Sequence, residues 1–370
     1  MSEVPAGLVR PALAGLIPYE PGKPVEEVQR ELGLERVVKL ASNEGPLGPF
    51  PEALAAMERA AAELNRYPDG GAYRLRAALA ERHGVRFEEI AVGSGADGMI
   101  DGLSQSILDP GDELVCGWPS FPSYIIYGLK LGAEAVRVPL RDHRYDLDAL
   151  IEAITPRTKL VYICHPNNPT GTMNTRAELD AYFAHVPDHV LTVLDQAYFE
   201  YIDDPDYADG VEAYFKQGHN VVVLRTFSKI YGLAGVRVGY GVAPAALVTE
   251  LGKTRRAFDI TTSGQEAALA SLDAPGELAR RREQNGAGRA ELERLLRAAG
   301  YDVVGGSVGN FVFVEVGEDA KAVFAALLRQ GVIVRPLAGF GATDAIRVTV
   351  GTPDEHAYLA DALVRAHAAA

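Results

Sequence analysis

With 370 residues, 48% of them apolar and 23% charged, the chain has the composition of a globular protein with a large core. Its 36 basic against 50 acidic side chains give a net charge of −14, which argues against a general nucleic-acid binder. Cys116 and Cys164 are the only cysteines, which excludes a disulfide framework and a Cys-rich metal site. No apolar run approaches ~20 residues and the N-terminus lacks the long apolar stretch of a secretory signal. The expectation is a cytoplasmic enzyme with no nucleic-acid or membrane partner.

The opening segment carries Pro5, Pro11, Pro18, Pro21 and Pro24, and cannot hold a long helix because each ring removes a donor and fixes φ. From Pro51 the spacing of Leu54, Met57, Ala61 and Leu64 predicts a helix with that stripe as its apolar face. Apolar strands are then expected at 89–92, 113–116, 135–138, 160–164, 191–194, 221–224 and 238–242. Most are too apolar for a half-exposed sheet. The stretches between them suit crossover helices, so an α/β fold follows: a large domain with a mainly parallel sheet flanked by helices.

After Asp273 the texture changes. A polar helix from Gly276 to about Ala299 is followed by an alternating strand at 310–316 and a helix to Gln330. Strands at 332–335 and 345–350 and a helix after Pro353 complete a small α+β domain. The expected division is an arm at 1–35, a large domain at 36–273 and a small domain at 274–370, with Asp273-Ala274-Pro275-Gly276 as the turn between the last two.

Four stretches carry chemistry. Gly93-Ser94-Gly95-Ala96-Asp97-Gly98 satisfies G-x-G-x-x-G between a strand and a helix. The next strand ends in Cys116-Gly117-Trp118 with no acidic residue for a ribose, so a dinucleotide site lacks its second half. A tight turn or a phosphate cradle at a helix start both remain open. The segment from Thr226 to Arg237 places Lys229 directly after a buried strand, in a chain with eight lysines and 28 arginines. A lysine that can lose its charge suits Schiff-base chemistry, and Thr226, Ser228 and Arg237 suit a phosphate monoester. A surface lysine in a strand-to-loop turn is the plainer alternative. Asp195, at the end of another buried strand, sits where open sheets place ligands and can pair with a protonated pyridine nitrogen or simply cap a turn. His165-Pro166-Asn167-Asn168-Pro169-Thr170-Gly171 forms a rigid loop that can present the Asn168 amide, or act only as a turn.

The motifs N-N-P-T-G, D-x-A-Y and S-K-x-x-G-L-x-G-x-R, in that order, resemble those of fold-type I pyridoxal phosphate aminotransferases. Pro18-Tyr19-Glu20-Pro21-Gly22-Lys23-Pro24, Ala41-Ser42-Asn43-Glu44 and Arg66-Tyr67-Pro68-Asp69-Gly70 narrow the resemblance to the histidinol-phosphate aminotransferase branch, from about Pro18 to about Gly351. The resemblance implies pyridoxal 5'-phosphate as cofactor, bonded by Lys229, with Asp195 on its ring nitrogen. It implies Tyr198 and Asn168 on its phenolic oxygen, Phe121 stacked on its ring, and Ala96, Asp97, Thr226, Ser228 and Arg237 around its phosphate. Tyr67 would reach the phosphate of the other subunit of a homodimer. Asn43, Arg347, Arg335 and Tyr19 would bind substrate, Arg347 on a carboxylate and Arg335 and Tyr19 on a second anionic group. The histidines show no metal spacing, and no metal is expected.

The reaction implied is exchange of an amino group between L-histidinol phosphate and 2-oxoglutarate. The rivals are a phenylalanine or tyrosine aminotransferase on the same scaffold, a threonine-phosphate decarboxylase, a nicotinamide oxidoreductase and a non-catalytic module. The last should have lost Lys229 or Asp195, and both are present. Family members usually carry Glu after the cofactor-pairing Asp, where this chain has Gln196; activity is expected to survive the change.

Overall fold

The computed structural model describes residues 7–18, 21–317 and 320–368. Thirteen strands are described in it: β1 (Val38–Lys39), β2 (Ile90–Gly93), β3 (Glu113–Trp118), β4 (Glu134–Pro139), β5 (Thr158–Cys164), β6 (Leu191–Asp195), β7 (Val221–Thr226), β8 (Gly239–Val242), β9 (Asp302–Val303), β10 (Phe311–Glu315), β11 (Val332–Ile333), β12 (Arg335–Pro336) and β13 (Ala345–Thr349). Seven of them form one sheet in the order β2-β8-β7-β6-β5-β3-β4.

The pairs β3–β4, β3–β5, β5–β6 and β6–β7 are parallel, as expected for fully apolar strands linked by helices. One strand departs from that expectation. β8 runs antiparallel to both β7 and β2, because the short link from β7 holds no crossover helix. The reversal has a consequence for chemistry. The C-terminal ends of β2, β3, β5, β6 and β7 share one edge of the sheet, and so does the start of β8. Loops from six strands therefore converge on one crevice, the usual ligand position in an open α/β sheet.

Helix Pro51–Ala60 forms where proline at its first position predicts it, but the apolar stripe is not its buried face. Ala53, Ala56 and Ala60 are buried, whereas Leu54 and Leu64 are 51% and 57% exposed. The small alanine face allows close packing against helix Thr262–Leu272, and the large side chains are left outward.

The C-terminal strands form a four-stranded antiparallel sheet, β12-β13-β10-β9, and β11 pairs in parallel with β1 from the N-terminal part of the chain. The expected strand at 332–335 is thus two strands in two sheets. Period-two alternation sorts the side chains. Val312 and Val314 of β10 and Ile346 and Val348 of β13 join a second apolar cluster with Val38, Leu40 and Leu292. Arg347 and Thr349 alternate with those and face the crevice, where both are bonded to other loops.

The loop after Lys229 packs tightly on the segment before helix Pro51–Ala60. Gly232 has φ +70°, and a Cβ there would stand 1.9 Å from the Gly48 carbonyl oxygen. Gly232→Ala is expected to cost about 2 kcal/mol or more, from left-handed strain plus the clash, and to lower the thermal midpoint measured by circular dichroism. An unchanged midpoint would contradict this packing.

Candidate active site

Asp195 ends β6 and is 4% exposed. Tyr124 donates its hydroxyl to Oδ2 at 2.7 Å and the Ala197 N–H donates to Oδ1 at 3.0 Å. No salt bridge reaches Asp195 among the described residues. Burial pushes its pKa above the ordinary value, against the hydrogen bonds from Tyr124 and Ala197 and the field of Lys229. A buried carboxylate with two donors and no cation is built to receive one.

Lys229 follows β7, and its Nζ lies 3.4 Å from the Ser42 carbonyl and 3.3 Å from that of Asn43. Burial first, then the Arg347 guanidinium, lowers its pKa to about 7. The surface-lysine reading fails on this point: a large fraction of the amine is neutral, and so nucleophilic, near neutral pH. Tyr198 lies with its ring centroid 5.5 Å from Nζ and accepts the Asn43 amide on its hydroxyl at 2.9 Å. Burial pushes the Tyr198 phenol pKa up. Asn43 itself is locked by Thr349 through its N–H and its Oδ1, at 3.0 and 3.1 Å.

Arg347 is 4% exposed and donates to the Ala41 carbonyl at 2.7 Å and to Asn168 Oδ1. The Asn168 oxygen is therefore occupied by Arg347, and its NH2 group is what it can offer a ligand. Arg335 stands opposite Arg347 in the β12–β13 ladder and lies against the Phe340 ring. Phe121 meets Tyr124 edge-on, with ring centroids 5.6 Å apart.

Ser228, Thr226 and Arg237 form a linked group. Ser228 Oγ accepts from Thr226 Oγ1 at 3.0 Å and from Arg237 Nη1 at 3.3 Å, which leaves its own hydroxyl hydrogen to donate elsewhere. They lie by the start of helix Gly95–Ile107, whose first N–H groups, those of Ala96 and Asp97 among them, have no partner within the helix. The glycine-rich stretch thus reads as an anion cradle at a helix start. Close approach explains Gly239: a Cβ there would stand 2.4 Å from Ala96 N and from the Gly95 carbonyl carbon.

One predicted position lies elsewhere, and one is not described. Tyr19 is outside the described residues. Tyr67 is 81% exposed and stacks on Phe258 at 4.6 Å, on the surface of this chain. Gln196 is fully buried; its Nε2 donates to the Ala208 carbonyl at 2.7 Å, and its Oε1 accepts from Gly210 N at 3.1 Å and Arg225 at 3.2 Å. An ionised Glu would lose the first of these bonds. Sequence reading missed Tyr124, Thr349 and Gly239. Tyr124 follows the predicted Phe121 by three residues and had no motif to mark it.

Residues 35–363 match the family of aminotransferases of class I and II. A histidinol-phosphate aminotransferase of Moorella thermoacetica is 45% identical over 93% of this chain and 89% of its own length. That of Akkermansia muciniphila is 46% identical over 92% and 94%. Among solved structures, histidinol-phosphate aminotransferase from Sinorhizobium meliloti in complex with pyridoxal-5'-phosphate superposes with a TM-score of 0.89 at 28% identity, covering 98% of this chain and 99% of that one. The chain belongs to the class I and II aminotransferases.

The crevice fits pyridoxal phosphate on its own chemistry. Asp195 lacks a cation, Lys229 offers a neutral amine, and Ser228, Arg237 and the helix start offer donors for a phosphate.

Two outcomes are expected. Tyr124→Phe removes one donor to the ionised Asp195, raises its pKa further and lowers kcat/KM roughly 10-fold, the scale of a hydrogen bond to a charged group; the pH–rate profile checks this. In cofactor-free protein, the rate at which Lys229 reacts with pyridoxal phosphate should rise through about pH 7 and then level off, because the neutral amine is the reactive form. Arg347→Gln should move that midpoint upward, since it removes a neighbouring cation.

Proposed function

We propose that this chain, a pyridoxal phosphate-dependent transaminase, interconverts L-histidinol phosphate and 2-oxoglutarate with imidazole acetol phosphate and L-glutamate, a step of histidine biosynthesis. The observation that carries the reading is the pair of guanidinium forks at register partners Arg335 and Arg347, which share one face of the sheet and both lie against the Phe340 ring. Glutamate and 2-oxoglutarate bring two carboxylates to the two forks, and the phosphate esters bring one phosphate that a fork can take in place of a carboxylate, since bidentate recognition serves both anions. The names of the 41–46% identical relatives point the same way.

When bound, pyridoxal phosphate supplies an electron-accepting ring and carries the amino group from donor to acceptor. The protein does the rest. Lys229 would hold the cofactor by its amine and would move the proton at the substrate's Cα. Asp195 would keep the proton on the ring nitrogen, with Tyr124 orienting the carboxylate. Tyr198 and the NH2 of Asn168 would donate to the phenolic oxygen, and Phe121 would cover the ring. Ala96, Asp97, Thr226, Ser228 and Arg237 would hold the phosphate. Arg347 would take the carboxylate of glutamate beside Asn43, and Arg335 with Tyr19 would take a second anionic group, a carboxylate or a phosphate.

The proposal extends to a homodimer in the cytoplasm. Leu54, Leu64, Tyr67, Tyr73 and Phe258 are exposed large apolar side chains, and the loop carrying Tyr67 would complete the neighbouring subunit's phosphate site. The chain divides into an arm at 1–35, a large domain at 36–273 and a small domain at 274–370, with β1 reaching into the smaller sheet system through β11.

Steady-state rates test the substrate. With 2-oxoglutarate as acceptor, L-histidinol phosphate should give a kcat/KM at least 10-fold above that of phenylalanine, and Arg335→Gln should raise KM for the phosphate ester more than for glutamate. Turnover of phenylalanine alone would overturn the reading in favour of an aromatic aminotransferase. Leu64→Asp should shift the species seen by light scattering toward monomer and lower activity with it.

A further inference from the structure

A second cavity of about 360 Å³ opens behind the loop that holds Lys229. Its walls are the Gly45–Leu47 stretch, helix Pro275–Ala298 and the Gly351–Pro353 turn into the last helix. It shares no residue with the crevice described above. The lining is mostly apolar, from Leu47, Tyr201, Ile230 and Val350.

Two polar residues of this lining are more than nine-tenths buried and incompletely partnered. His356, 2% exposed, accepts the Gly351 N–H on Nε2 at 2.9 Å. A backbone amide can only donate, so the ring proton sits on Nδ1, where no acceptor is present among the described residues. Burial lowers the pKa of His356, against the field of Glu291 and Glu355. Asn285, 8% exposed, donates Nδ2 to the Gly309 carbonyl at 3.1 Å, and its Oδ1 receives no donor among the described residues. Asn285 and Gly288 lie one turn apart on one helix face. A Cβ at Gly288 would stand 3.7 Å from His356 Cε1 and 2.7 Å from Val350 Cγ1, so the glycine keeps that wall open.

The charges around the cavity are already matched. Arg281 is used by Glu277 and by the Gly48, Pro49 and Ile230 carbonyls, and Glu291 by Arg294. Nothing there calls for an ion. Among the buried side chains of this lining, one open donor and one open acceptor beside an apolar wall call for a neutral ligand with the complementary pair. The volume suits more than a single small ring.

We propose that this cavity is a second, non-catalytic binding site for a flat, neutral fused azole, whose ring nitrogen accepts from His356 Nδ1 and whose N–H donates to Asn285 Oδ1. The occupant would rest on the loop whose Ser42 and Asn43 carbonyls contact Lys229 Nζ. A Cβ at Gly45 would stand 3.0 Å from the Lys229 carbonyl oxygen, so the loop wall touches the lysine's own backbone.

Calorimetric titration of the holoenzyme with benzimidazole tests the site. Benzimidazole should bind once per chain. 1-Methylbenzimidazole, which lacks the N–H, and indole, which lacks the accepting nitrogen, should each bind at least 10-fold more weakly. His356→Gln, whose Oε1 can keep the Gly351 bond, should weaken benzimidazole at least 10-fold and leave turnover without the probe unchanged. Arg347→Gln should leave the affinity as it is. Absence of binding, or equal affinity for all three probes, would overturn the proposal without any variant. Binding lost in Arg347→Gln but kept in His356→Gln would overturn it too, by placing the probe in the catalytic crevice.

Discussion

The structure depends on a carboxylate kept charged where charge is costly. Asp195 ends a fully buried strand, and the protein offers it a phenol and a backbone amide but no guanidinium or ammonium. Such a group is stabilised when a cation arrives, and a protonated pyridine ring would supply one. Lys229 shows the complementary arrangement. It is an amine surrounded by carbonyls and nearby guanidinium groups, and its proton is held weakly. Both groups are poor for stability in isolation and useful together once a ligand couples them.

The sheet brings these groups together. Parallel strands β5, β6 and β7 deliver Asn168, Asp195 and Lys229 from their C-terminal ends to one edge. The reversed β8 brings Arg237 to the same edge from its N-terminal side, beside the helix that begins at Gly95. Arg347 comes from a different sheet, turned inward by alternation with the apolar residues of β13. The site therefore lies between two separately packed apolar clusters, and the contact of Arg347 with Asn168 links the strands that belong to them.

Much of this was legible in the chain because strand ends in a parallel sheet have a readable form. An apolar run stops and a short polar or Gly/Pro motif begins, as after Cys164, Leu194 and Leu224. Arg347 was legible for a similar reason, as a cation inside an apolar strand. The direction of β8 was not, since strand spacing alone suggested a crossover where the link is too short for one. The stripe of Leu54 and Leu64 misled because helical periodicity reports an apolar face without saying what covers it; alanines took the inner face and left the leucines outward. Tyr124 was invisible because its importance lies in one hydrogen bond across 71 positions of sequence.

A single amine carries the chemistry, and the direct measurement is to trap it. The protein would be incubated with pyridoxal phosphate, reduced with borohydride, digested and mapped by mass spectrometry. The prediction is one pyridoxyl group per chain, on Lys229, with the other lysines unmodified. A label distributed over surface lysines, or a homogeneous label on any residue other than Lys229, would contradict it.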